Sequence, residues 1–102
     1  MQEKILKLNF TVAHLSELET KDQELIANAK EAFTTAYAPY SGFLVGASVL
    51  LDNGEIVSGS NQENVAYPSG LCAERVAMFY AGARFPDAKI KSIAVSVISK
   101  NF

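Results

Sequence analysis

The chain has 102 residues, 49% of them apolar and 20% charged, with a formal net charge of −2. This fits one domain spanning 1–102, with a modest core and no basic footprint for nucleic acid. No apolar run approaches the roughly 20 residues of a membrane span, no basic-then-apolar leader opens the chain, and a lone cysteine excludes an internal disulfide. The expected setting is cytoplasmic, and the expected partners are small molecules or copies of the chain itself.

In chain order, residues 1–19 read as an N-terminal arm, in which Ile5, Leu6, Leu8 and Phe10 suit a short strand or a docking segment. The core is expected from residue 20. A helix is predicted over 20–36, with Thr20 and Gln23 as a capping box and Leu25, Ala29, Phe33 and Tyr37 on one face. Pro39 ends it and biases Ala38 away from helical geometry. Residues 43–51 alternate with period two and have apolar groups on both faces. Asp52-Asn53-Gly54 then turns the chain into a strand beginning Ile56-Val57-Ser58.

A second helix is predicted from about Ser69 to Ala83, with Ala73, Ala77, Tyr80 and Ala81 on one side and Pro86 beyond its end. The run from Ile90 to Ile98 is β-branched and suits a central strand buried on both faces, parallel to one strand of the hairpin. The class is therefore α/β. A strand of that kind normally has neighbours on both sides, so the layered fold reads as unfinished at Phe102.

The chemistry sits at the start of the second helix. Cys72 precedes Glu74 by two residues, just past a Pro-Ser-Gly turn. Helix N-termini favour negative charge, a thiolate is a zinc ligand, and a carboxylate beside a zinc-activated water serves as its proton shuttle. Residues two apart in a regular helix point to nearly opposite sides, so the pair works only if the first turn is distorted or Cys72 sits at the cap. Taken singly, each residue also has a plainer role. Cys72 suits an inert buried thiol, Glu74 a first-turn acid, Asn61 and Glu63 loop polars, and Phe43 a strand core position.

Three segments in register narrow these choices. Tyr37-Ala-Pro-Tyr-Ser-Gly-Phe-Leu-Val-Gly-Ala47, Asn61-Gln-Glu-Asn64 and Tyr67-Pro-Ser-Gly-Leu-Cys-Ala-Glu-Arg75 together resemble the small, homotetrameric, zinc-dependent cytidine deaminases. The resemblance implies a mixed-sheet, layered deaminase-like fold. The implied reaction is hydrolytic deamination of cytidine or deoxycytidine to the uridine nucleoside and ammonia, as in pyrimidine salvage.

It also implies Zn2+, one per subunit, with Cys72 as one ligand and Glu74 as the proton shuttle. Asn61 and Glu63 would bind a ribose hydroxyl, Phe43 and Val45 would line the base pocket, and the Ala73 amide would hold the base carbonyl. Arg75 would offset thiolate charge near the metal, and Tyr67 would complete a neighbouring subunit's pocket. The family draws two further cysteine ligands from a Pro-Cys-x-x-Cys segment. Here these are expected beyond Phe102, along with the final helix and strands. The present stretch is therefore expected to be a portion of a longer protein and inactive alone, since a catalytic zinc takes about three protein ligands. The alternatives are an inactive deaminase-like interaction module and a deaminase of a related aminopyrimidine nucleoside. A thiol enzyme pairing Cys72 with His14 lacks any feature that brings the two together.

Overall fold

The computed structural model describes residues 11–64 and 70–99. Residues 1–10 of the expected 1–19 arm, Tyr67, and Ser69, the predicted start of the second helix, lie outside these residues. The elements are α1 (Thr20–Ala32), β1 (Phe43–Leu51), β2 (Ile56–Ser60), α2 (Ala73–Arg84) and β3 (Ile90–Ser99). Short 3-10 turns occupy Leu15–Glu17 and Phe33–Thr35.

α1 is shorter than predicted, because its last turn tightens into the 3-10 segment before Pro39. The capping box does not form. Glu19 is the N-cap, Thr20 already lies within the helix, and the Gln23 side-chain amide donates to the Leu18 carbonyl at 2.8 Å. Leu25 and Ala29 are buried as expected, while Tyr37, beyond the helical repeat, is exposed.

β1 and β2 form the predicted hairpin. Gly54 adopts φ 86° and the Asn53 side chain accepts the Glu55 amide at 3.0 Å, which closes a three-residue turn. The strand order is β2-β1-β3, and both strand pairings are antiparallel. β3 thus runs in the same direction as β2, but β1 lies between them. The expected parallel pairing is not made, because the crossover through α2 carries the chain past β1 to its free side. Asp52 anchors that arrival: its amide donates to the Lys89 carbonyl at 2.8 Å and its carboxylate accepts the Lys89 amide at 3.1 Å.

β1 is therefore the central strand, and its alternation sorts the two helices onto opposite faces. Ala47, Val49 and Leu51 join Val57 against Ala73, Ala77 and Ala81 of α2. On the other face Ser48 donates to the Leu25 carbonyl of α1, and Gly46 lies directly beneath Ala29 and Phe33. The result is a helix–sheet–helix stack.

The two-sided burial predicted for β3 is not found. Val95 and Ile93 stand opposite Ala47 and Val49 on the α2 side, yet they are 54% and 46% exposed. Val97 on the same face is exposed too. A helix about 10 Å wide covers roughly two strands spaced about 4.8 Å apart, and α2 lies over β2 and β1. Tyr80, grouped by its spacing with the three alanines on one side of the helix, is exposed, because the buried stripe of α2 runs 73–77–81. Among the described residues, no helix is long and apolar enough to cross a membrane.

Candidate active site

The site forms where three segments meet at the N-terminus of α2. After β2 the chain stays extended through 61–63, flanked by Tyr37 on one side and Leu71 on the other. The Tyr37 amide donates to the Asn61 carbonyl at 2.9 Å, and the Glu63 amide donates to the Tyr37 carbonyl at 2.8 Å. On the far side Gln62 and Leu71 exchange both backbone hydrogen bonds at 2.8 Å. That exchange fixes the residue immediately before Cys72.

Cys72 is the N-cap of α2, with extended geometry (φ −77°, ψ 157°). It therefore stands outside the helical repeat, which removes the objection to pairing it with Glu74. Both residues line one cleft of about 940 Å³. The cysteine is exposed, so the reading of an inert buried thiol fails. The first helical hydrogen bond runs from the Val76 amide to the Cys72 carbonyl at 3.1 Å, so the amides of 73–75 have no partner within the helix. Ala73 buries its methyl group in the core beside the sheet and also lines the cleft. Arg75 lines the same cleft from an exposed position.

Asn61 and Glu63 line the same cleft, with Val45. Asn61 is buried, and its amide extends the sheet. Its Oδ1 accepts the Val45 amide at 3.0 Å, and its Nδ2 donates to the Phe43 carbonyl at 2.9 Å. Glu63 clamps the turn before β1. Its Oε1 accepts the Tyr40 and Ser41 amides at 3.0 and 3.1 Å, and its Oε2 accepts the Ser41 hydroxyl. Those Ser41 bonds, the hydroxyl first and then the amide, hold the Glu63 carboxyl below its ordinary value against the opposing effect of partial desolvation, and the Tyr40 amide adds to the lowering.

Phe43 differs from expectation. It shares a strand face with Val45, but its ring is half exposed and does not contribute to the cleft wall. Val95 and Tyr40, neither of them an expected site residue, do contribute. Val95 went unrecognised because it read as core; the helix that would have buried it lies over the other strands.

Among the described residues no three histidine, cysteine or acidic side chains come together as a metal site. Cys72 is one thiolate donor, and by themselves these residues do not complete a catalytic zinc set.

The model of the cytidine and deoxycytidylate deaminase zinc-binding region matches residues 19–99. A cytidine deaminase of Halalkalibacterium halodurans is 39% identical over 77 residues, covering 76% of this chain and 56% of that protein. The crystal structure of cytidine deaminase from Mycobacterium tuberculosis superposes with a TM-score of 0.72 at 35% identity, covering 78% of this chain and 63% of that one. The structure of the Burkholderia pseudomallei cytidine deaminase gives 0.67 at 40% identity, covering 76% and 61%. The chain thus spans only about half the length of the curated relatives it matches, 56% and 43% for two of them.

Proposed function

The chain belongs to the cytidine and deoxycytidylate deaminase zinc-binding family, and on that premise we propose that it forms part of an enzyme that hydrolyses cytidine and deoxycytidine to uridine and deoxyuridine with release of ammonia. The observation that carries this reading is the cleft that Cys72 and Glu74 line together with Asn61 and Glu63. It offers a thiol for metal binding, a carboxyl group to carry protons and polar groups suited to a sugar hydroxyl.

Cys72 supplies one metal ligand, the remaining donors coming from outside the described residues. Zinc in such a centre makes water reactive near neutral pH. Glu74 would carry one proton of the attacking water to the ring nitrogen and then the second, from the hydroxyl now on C4, to the amino group as its bond to C4 breaks, so that water and cytidine become uridine and ammonia. The Ala73 amide, which has no partner within the helix, holds the base carbonyl, Val45 packs on the base, and Phe43 closes over it once the ring turns inward. Glu63 accepts a sugar hydroxyl beside Asn61. Arg75 offsets the negative charge of the metal's thiolates. A homotetramer in which Tyr67 reaches a neighbouring pocket, a cytoplasmic location and a place in pyrimidine salvage complete the proposal.

Protein expressed from the full-length gene should carry about one zinc per subunit and convert cytidine to uridine. Stable, metal-free protein without that activity would favour the interaction module, the reading suited to the incomplete donor set of the described residues. In the full-length protein Glu74→Gln should retain zinc and nucleoside binding and lose turnover. Retained turnover removes Glu74 as the proton carrier.

A further inference from the structure

A short hydrogen-bond chain lies behind the cleft wall, and the direction of each bond in it is fixed by chemistry. The Phe43 amide is a donor, so in its 3.1 Å bond to Ser41 Oγ the hydroxyl accepts. The single hydroxyl proton of Ser41 is then free to go to Glu63 Oε2, which as a carboxylate oxygen only accepts. Glu63 Oε1 already takes two amides, from Tyr40 and Ser41. A carboxylate oxygen accepts about two hydrogen bonds. Among the described residues, therefore, Oε1 is filled and Oε2 retains one position. Glu63 lines the cleft, whereas Ser41 does not.

We propose that Ser41 is a positioning residue for the sugar end of the cleft: by joining the first amide of β1 to Glu63 Oε2, it aims the one remaining Glu63 acceptor at a hydroxyl of the bound nucleoside. The inference rests on the nucleoside reading and adds to it a residue that touches no ligand. The turn holding Ser41 is itself fixed. Gly42 adopts φ 74° and donates to the Ala38 carbonyl at 3.1 Å, so the serine is presented from a closed loop. Without its hydroxyl the carboxylate keeps two amides on one oxygen and is free to rotate the other. The consequence is selective: a ligand bearing ring hydroxyls loses a preoriented partner, and one without them loses nothing.

The test uses protein from the full-length gene and two ligands that are not consumed, uridine and 2′,3′-dideoxyuridine, with affinities measured by calorimetry. Ser41→Ala should weaken uridine roughly three- to tenfold and leave dideoxyuridine within about twofold. Ser41→Thr, which keeps a hydroxyl, should restore uridine binding. With cytidine as substrate, the alanine variant should raise KM and leave kcat nearly unchanged, because the sugar contact is made in ground and transition states alike. Equal weakening of both ligands means mere loop damage and overturns the proposal, as does an unchanged uridine affinity or a threonine variant that behaves like alanine. Failure of the unsubstituted protein to bind uridine at all overturns the nucleoside reading and this inference together, and is distinct from a serine variant that binds as well as the parent.

Discussion

Asn61 shows how a residue read as a ligand contact also holds the fold. Both ends of its amide are bonded to β1, to the Val45 amide and the Phe43 carbonyl. Asn61→Ala should therefore cost about 1 kcal/mol in denaturant unfolding, because the part-buried Val45 amide and Phe43 carbonyl lose their partner. A loss confined to ligand affinity, with stability unchanged, would contradict that account. Glu63 makes a second prediction at this scale. Its carboxyl is held below the ordinary value of 4.5, so the clamp on Tyr40 and Ser41 contributes stability above that value and loses it as pH falls through the lower, folded one. The Tyr40 and Ser41 amide resonances should titrate with a midpoint below 4.5, and Glu63→Gln should abolish the transition. A midpoint at or above the ordinary value would show that these bonds are not formed in solution.

Between elements, the decisive residues are glycines at helix–sheet crossings. A methyl group at Gly46 would lie 1.9 Å from the Ala29 carbonyl oxygen, and one at Gly59 would lie 2.6 Å from the Ala77 nitrogen. Backbone on the far side leaves neither site able to yield without moving a whole helix. Gly46→Ala and Gly59→Ala should each destabilise by about 3 kcal/mol or more, by overpacking. Gly82, within α2 but exposed, meets nothing within 4 Å. Gly82→Ala should instead stabilise by about 0.5–1 kcal/mol in thermal or denaturant unfolding. The three alanine substitutions are chemically identical, so a common sign would refute the packing explanation. The sequence left these positions unmarked, since a glycine in a strand looks alike whether it meets a helix or solvent.

At the scale of the whole molecule, the fold class and most of the elements were legible in the sequence. The hairpin turn, both helices and β3 fall within a few residues of their predicted bounds, because glycine, proline and apolar periodicity act locally. The burial of β3 and of Tyr80 was not legible, since coverage depends on where α2 crosses the sheet. Ile93, Val95 and Val97 form an uncovered apolar strip on the α2 side of β3. A preparation of these 102 residues alone should bind an apolar dye, and Ile93→Lys with Val97→Lys should reduce the fluorescence. Undiminished fluorescence would place the dye site elsewhere.

The sequence by itself determined the identities at the site: a cysteine and glutamate two apart at a helix start, an asparagine and glutamate after the hairpin, and a family pattern joining them. These are local facts, set by residue type and spacing. Tertiary structure decided the rest. It placed Cys72 at the cap, outside the helical repeat, so that thiol and carboxylate share a cleft. It turned Glu63 back onto Ser41, and it paired β3 with β1 on the side away from β2. Each outcome depends on which strand, turn or helix packs against which, and those contacts join residues far apart in the chain, beyond the reach of local periodicity.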